Sequence, residues 1–243
     1  MAMNRQVDVE LHNATRSAVL RLNRPEVSNA LSPTLALAIA EHVRALAASG
    51  VATIRMETSS KNFCAGFDLK SDSVGAEDLL ESFPKVELLL QTVRLVPVVT
   101  IAHVRGAAIG AGADLAIANT FRVGTAEVTF AFPGFNYFGV SLGTEHLVST
   151  VGRDAARDLL LTARRVGGEE AHEIGLLTHL VDSESHAEEV VADLTTAASG
   201  FDRMALGQLL QLTQDPRSEG GLGPLQASIT RQDVSERMRK KAR

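Results

Sequence analysis

The sequence predicts an α/β protein in which a mixed strand-and-helix body is followed by a helical C-terminal part. Three observations carry that expectation. Up to about residue 143, short apolar or alternating runs are separated by turn residues, with helical stretches between them. Beyond that point nearly every segment has helical spacing. The 243 residues, 45% hydrophobic and 22% charged, suffice for one sizeable core, built from Ala, Val, Leu and Ile because only 4% are aromatic.

The elements follow in order. "VDVELH" and "SAVLRLN", separated by "NATR", read as a hairpin. Ser32 then Pro33 marks a helix start, and "TLALAIAEHVRALAAS" runs to a natural stop at Gly50. "VATIRMET" and "PVVTIAHV" are buried-type strands, the second followed by a Gly-rich turn opening a helix, "RGAAIGAGADLAIAN". A strand–loop–helix unit therefore occurs at least twice, the other being "TIRMETSSKNFCAGFDL". "FRVGTAEVTFAFP" gives two more short strands. Helical spacing resumes in "TEHLVSTVGRDAARDLLLTA", "GGEEAHEIGLL" and "ESHAEEVVADLTTAA". The stretch 215–224, "DPRSEGGLGP", reads as a linker ahead of a final helix.

Totals exclude several classes. A net charge of −5 gives no electrostatic footprint for nucleic acid. The single cysteine, Cys64, cannot close an internal disulfide, and its apolar flanks read as core rather than nucleophile. No uncharged apolar run is long enough for a membrane span, and "MAMNRQVDVE" lacks a signal-peptide core, so a cytoplasmic protein is expected. His172, His179 and His186 recur every seven residues, but helix, strand and helix alternate between them, so no shared metal-binding face is expected. The basic end "RQDVSERMRKKAR" reads either as a solvated helix end or as a docking surface for phosphates.

The turn "GAAIGAGADLAIA" lacks the Lys-Ser/Thr of a P-loop, and Leu115 stands where a dinucleotide fingerprint needs its third glycine. What remains is a run of small residues that lets a ligand or another backbone approach closely, with bare N–H groups at a helix start. Asp114, three residues after Ala111, shares the face of that first turn. Two readings fit: an anionic oxygen with a proton shuttle, or tight helix packing with Asp114 compensating the dipole.

Five stretches in order, "NRPEVSNAL" (23–31), "FCAGFDL" (63–69), "RGAAIGAGADLAIAN" (105–119), "FAFP" (130–133) and "GGEEAHEIGLLTHLVD" (167–182), resemble the crotonase, or enoyl-CoA hydratase/isomerase, superfamily. The resemblance implies a spiral of ββα units over residues 1–185 and a helical C-terminal trimerisation region over 186–243, often assembled as a dimer of trimers. It implies an acyl-CoA substrate, with coenzyme A as part of that substrate and no other cofactor. It implies an oxyanion hole of two backbone N–H groups, here Phe67 and Ala111, holding the thioester carbonyl as it becomes an enolate. It also implies that Val27, Ala30, Ala65, Asp68, Leu69, Gly110, Pro133 and Gly134 border the substrate. For Asp68 and Leu69, capping and packing of the next helix is the alternative.

The chain departs from the hydratase pattern at both carboxylates. The first is Asp114 rather than Glu; the second, expected after Pro133, is replaced by Gly134. Two-carboxylate hydration looks impaired, whereas one-base isomerisation through Asp114 survives. Tyr137, Glu145 and His146 are the nearest polar candidates for the missing role. The expected function is enoyl-CoA hydratase/isomerase chemistry, with hydrolase or decarboxylase variants behind it; a non-catalytic acyl-CoA-binding module is the alternative. The tail "RMRKKAR" is a further expectation for holding CoA phosphates.

Overall fold

In the computed structural model, described for residues 6–70, 76–214, 222–229 and 234–242, the chain opens with the expected hairpin. Strand β1 (Val7–His12) pairs antiparallel with β2 (Ser17–Leu22), register Val7 to Leu22, around a short 3-10 turn. Helix α1 (Pro33–Ala48) starts where the cap predicts: the Ser32 hydroxyl accepts the Leu35 N–H. Its apolar face (Leu35, Ile39, Val43 and Leu46) is buried, each large side chain contributing about 1.5–3 kcal/mol.

Strands β3 (Thr53–Thr58), β4 (Val99–His103), β6 (Phe121–Thr125) and β9 (His179–Val181) add in parallel, giving the sheet order β1-β2-β3-β4-β6-β9. All five residues of β4 are buried, as a strand covered on both faces requires. A second sheet, β5-β7-β8, is built from β5 (Ala107–Ile109), β7 (Thr129–Ala131) and β8 (Val166–Gly167). Residues 107–109, read as part of the Gly-rich turn, are thus a strand, held by pairing with β7.

Two helices position the site. Helix α3 (Ala111–Ile117) leaves β5 directly and is wholly buried. Helix α2 (Ala76–Leu95) packs on both α1 and α3. No helix starts at Asp68; the helix described in that first unit is Ala76–Leu95. Beyond β7 the chain runs through α4 (Pro133–Phe138), α5 (Thr144–Val151), α6 (Arg153–Thr162) and α7 (Gly168–Glu173).

The C-terminal helices do not form one layer. Helix α8 (Glu184–Ser199) covers the large sheet, and α9 (Arg203–Leu212) joins the same apolar cluster through Leu206. Helices α10 (Leu222–Ile229) and α11 (Val234–Ala242) return to α2 and α4, where Leu225, Ile229, Val234 and Met238 pack with Leu79 and Phe83. Residues 215–221 of the expected linker, and 231–233 and 243 of the basic end, lie outside the described residues. Among the described residues no helix is long and apolar enough to cross a membrane.

Candidate active site

Two sequence-distant bends are locked together beneath one cavity. Cys64 bridges to Ala108, and Leu31 bridges to Phe67. Between them Gly66 sits at φ 98°. A Cβ there would lie 2.6 Å from the Ile109 carbonyl oxygen and 3.6 Å from the Ala111 nitrogen, so only glycine lets the bends approach this closely. Gly112 presses back on the first bend: a Cβ at 112 would sit 2.7 Å from that of Cys64. Burial pushes the Cys64 thiol up to about 12, and it donates to the Asn29 carbonyl at 3.1 Å, as a core thiol would.

Several backbone donors around these bends are paired. Ala65 N–H donates to the Ser28 carbonyl (2.9 Å), Asp68 N–H to Leu31 (3.0 Å), and Gly110 N–H to Ala131 (2.8 Å). Asp114 N–H closes the first turn of α3 on Gly110 (2.9 Å). Among the described residues, the N–H groups of Phe67 and Ala111 meet no acceptor. Most buried backbone donors are paired; the helix start leaves Ala111, Gly112 and Ala113 without an intrahelical partner, and of these Ala111 alone lines the cavity with Phe67.

Phe67 and Ala111 both line a cavity of about 240 Å³, with Gly66, Gly110 and Asp114 beside them. Its remaining wall is largely apolar and includes Phe83, Phe132, Phe135 and Phe138, with Tyr137 and Lys241 also lining it. The Phe67 ring stacks on Phe83 at 4.5 Å between centroids, 19° from parallel. The Lys241 ammonium lies 4.8 Å from the Tyr137 ring centroid.

Asp114 is 6% exposed. Burial holds its carboxyl well above the usual carboxylate range, and the negative charge of Glu87 pushes it further the same way. Glu87, on α2, is raised mainly by its own burial. Sequence reading passes over Glu87. The available signal is a carboxylate inside "VELLL", beside Val86 and Leu90 on a stripe that the helix buries.

The other expected substrate-bordering residues divide. Ala65, Leu69, Gly110, Pro133 and Gly134 line the cavity; Val27, Ala30 and Asp68 do not. Asp68 instead faces Arg24, 3.1 Å from its guanidinium, and accepts the Lys70 N–H at 3.2 Å. Arg24 also donates to the Ala30 carbonyl at 2.7 Å, so this corner is tied together internally. A Cβ at Gly134 would have only the Val140 carbonyl oxygen near it, at 3.7 Å, so the position has room for a side chain. Of the three polar candidates, Tyr137 alone reaches the cavity. Glu145 is exposed on α5, and His146 turns to the Ile117 carbonyl at 2.8 Å. His146 lines a separate polar cavity of about 350 Å³ with Arg94 and Arg122; neither open N–H borders that one.

The enoyl-CoA hydratase/isomerase family model matches residues 14–209. The chain belongs to the enoyl-CoA hydratase/isomerase family. Among curated relatives of this family, an enoyl-CoA isomerase/hydratase of Zymoseptoria tritici is 36% identical over 171 residues, 67% of this chain and 56% of that protein. Mouse mitochondrial methylglutaconyl-CoA hydratase is 32% identical over 175 residues, 68% of this chain and 54% of that protein. The crystal structure of a Bordetella parapertussis chain assigned to the enoyl-CoA hydratase/isomerases superposes with TM-score 0.90 at 30% identity, covering 97% of this chain and 98% of that one. An enoyl-CoA hydratase structure from Mycobacterium smegmatis gives TM-score 0.80 at 26% identity, covering 94% and 91%. The fold is that of the crotonases, and the chain is an enzyme of the hydratase/isomerase type.

Proposed function

We propose that this enzyme binds an acyl-CoA thioester with its carbonyl oxygen between the Phe67 and Ala111 N–H groups, stabilises the enolate there, and moves a proton with Asp114. The observation that carries the reading is the pair of unpartnered N–H groups on bends locked together at Gly66, in a cavity that, among the described residues, they share with one carboxyl, Asp114. Donors aimed at developing charge in a water-poor site commonly contribute more to acyl chemistry than any other single effect. Coenzyme A enters only as part of the substrate.

With Gly134 in the second carboxylate's position, the chemistry favoured is transfer of a proton between carbons on one face of the enolate, that is, isomerisation of an unsaturated acyl group. Hydration needs a second group to hold and deprotonate water, and Tyr137 is the only polar candidate of the three on the cavity wall. Loss of turnover with binding retained is the second reading, favoured by the same glycine.

Exchange of the α-protons of an acyl-CoA with deuterated solvent tests the core of the proposal, because it requires only enolate formation. Ala111→Pro deletes the amide proton at the first helical position, where proline fits. Exchange should fall about 10²–10³-fold, the worth of one oxyanion donor, with circular dichroism unchanged. Exchange at the parent rate in this variant removes Ala111 from the mechanism; absence of exchange in the parent chain, with acyl-CoA bound, leaves the binding module.

We also propose a homotrimer or dimer of trimers. Support comes from exposed apolar side chains on α2 (Leu95) and α9 (Met204, Leu209 and Leu212), with the Gln214 side chain just beyond α9 donating to the Arg94 carbonyl at 3.0 Å. Sedimentation at micromolar concentration should give a trimer or hexamer; a monomer excludes it.

A further inference from the structure

We propose that Glu87 is the positioning carboxyl of this site: it faces Asp114 behind the Gly143 turn, and its charge governs whether Asp114 holds a proton. The inference deepens the reading above and rests on it for its consequence in turnover, though not for the existence of the pair.

Glu87 lies one helical turn beyond Phe83, the α2 residue whose ring lines the cavity. It is 3% exposed and does not itself line the cavity. One carboxyl oxygen accepts the Gln91 amide at 3.1 Å. The other, Oε2, is buried without a hydrogen-bond partner. The Gly143 N–H leans toward this carboxyl without completing a hydrogen bond. On its other side Gly143 is pressed against Asp114, so that a Cβ at 143 would overlap Asp114 Oδ1. The two acids therefore approach the same turn, from α2 and α3, away from water.

The neighbouring charges do not resolve the conflict. Arg94, about two turns along α2, and Glu145, on α5, act on Glu87 in opposite directions. His146 is engaged with the Ile117 carbonyl, and Arg44 of α1 reaches Thr92. Lys241 of α11 sits over Tyr137. An unpaired buried carboxylate is costly, and two together more so; holding one proton between them lowers that cost. Each acid thus resists ionising: burial raises both carboxyls, and the charge of Glu87 raises Asp114 further.

The step balances at Asp114, whose ionised form is the base and whose readiness to ionise is set by the charge of Glu87. Asp114 takes a proton from a substrate carbon, whose C–H electron pair becomes the enolate, and returns it to another carbon. Glu87 touches no substrate atom; it acts through Asp114.

The test is a carboxyl-carbon NMR titration of Asp114 in the free protein, alongside the pH profile of α-proton exchange, for the parent and Glu87→Gln. Glutamine keeps the shape and removes the charge. The Asp114 midpoint should fall by about one pH unit or more in the variant, and the limb of the exchange profile should move with it. An unmoved midpoint overturns the proposal. Should Glu87→Gln fail to fold, the parent titration decides: a two-step Asp114 curve supports the pair, and a single-step curve refutes it. A shifted midpoint without any exchange would refute the functional reading and leave the pair standing.

Discussion

Two clusters of charge in this molecule follow opposite rules. Against the large sheet, His103, Arg55 and Arg105 meet Glu57, Glu184 and Glu188. Arg55 reaches Glu188 at 2.5 Å and Glu57 at 2.6 Å, and Arg105 reaches Glu184 at 2.7 Å. His103 is fully buried, with Glu184 Oε2 3.1 Å from its Nε2, at ion-pair distance but outside hydrogen-bond alignment. Opposite charges alternate, and the cluster ties α8 to β3 and β4. Behind the cavity, Glu87 and Asp114 put like groups together, and one oxygen goes unpaired. Charges that serve the fold are paired; the acids beside the cavity are kept at a cost to it, as expected where chemistry needs a displaced pKa.

The largest expected effect comes from neutralising the second cluster. Asp114→Asn should lower α-proton exchange about 10²–10⁴-fold, the usual worth of a general acid–base group. It should also stabilise the protein, and the sign follows from the raised carboxyl. The folded state keeps a proton that the unfolded chain releases above the ordinary Asp value of about 3.9. Parent stability therefore falls as pH rises through the window between that value and the raised one, by about 1.4 kcal/mol for each pH unit. Asparagine does not titrate, so denaturant midpoints of the variant and parent should converge near pH 3 and diverge toward neutrality. Parallel curves would mean that Asp114 titrates as in the unfolded chain.

A smaller effect, of opposite kind, is expected from the first cluster. Arg55→Ala leaves Glu57 and Glu188 without their shared partner and adds an empty volume beside β3. Destabilisation of about 1–3 kcal/mol should follow, with exchange activity unchanged after correction for folded fraction. A loss of activity larger than the loss of folded protein would show that the two clusters are coupled.

The same contrast explains what could be read from the sequence. The bends at Gly66 and Gly110–Gly112 were legible because close backbone approach needs small residues at fixed local positions, and a first-turn carboxylate has a fixed offset from Ala111. The cap at Ser32, the hairpin and the buried strands at Thr53–Thr58 and Val99–His103 were legible for the same local reason. Helix α2 was not: Pro84 lies inside it, and its amphipathic face includes the acid Glu87. That Glu87 faces Asp114 is a tertiary fact with no spacing rule behind it. The contact of Asp68 with Arg24, 44 residues earlier in the chain, is another tertiary fact that the motif does not carry.

The smallest effect sharpens the comparison most, because it turns on the sign of a slope. Hydrogen bonding from Arg55 holds the Glu188 carboxyl below its usual range, against the opposing pull of burial, with Arg55, His103 and Arg105 adding their charge. A depressed carboxyl contributes stability that is present above the ordinary Glu value and is lost as pH falls through the depressed one. Glu188→Gln should therefore flatten the acid limb of the stability curve while leaving the slope toward neutrality as in the parent. Asp114→Asn should do the reverse. Glu188 is 45% exposed in its side chain and screened by water, so the change should stay below about 1 kcal/mol. Chemical denaturation between pH 3 and 8 separates the two variants by which limb moves. If both moved the same limb, paired and unpaired carboxyls here would obey one rule, and the contrast between the clusters would fail.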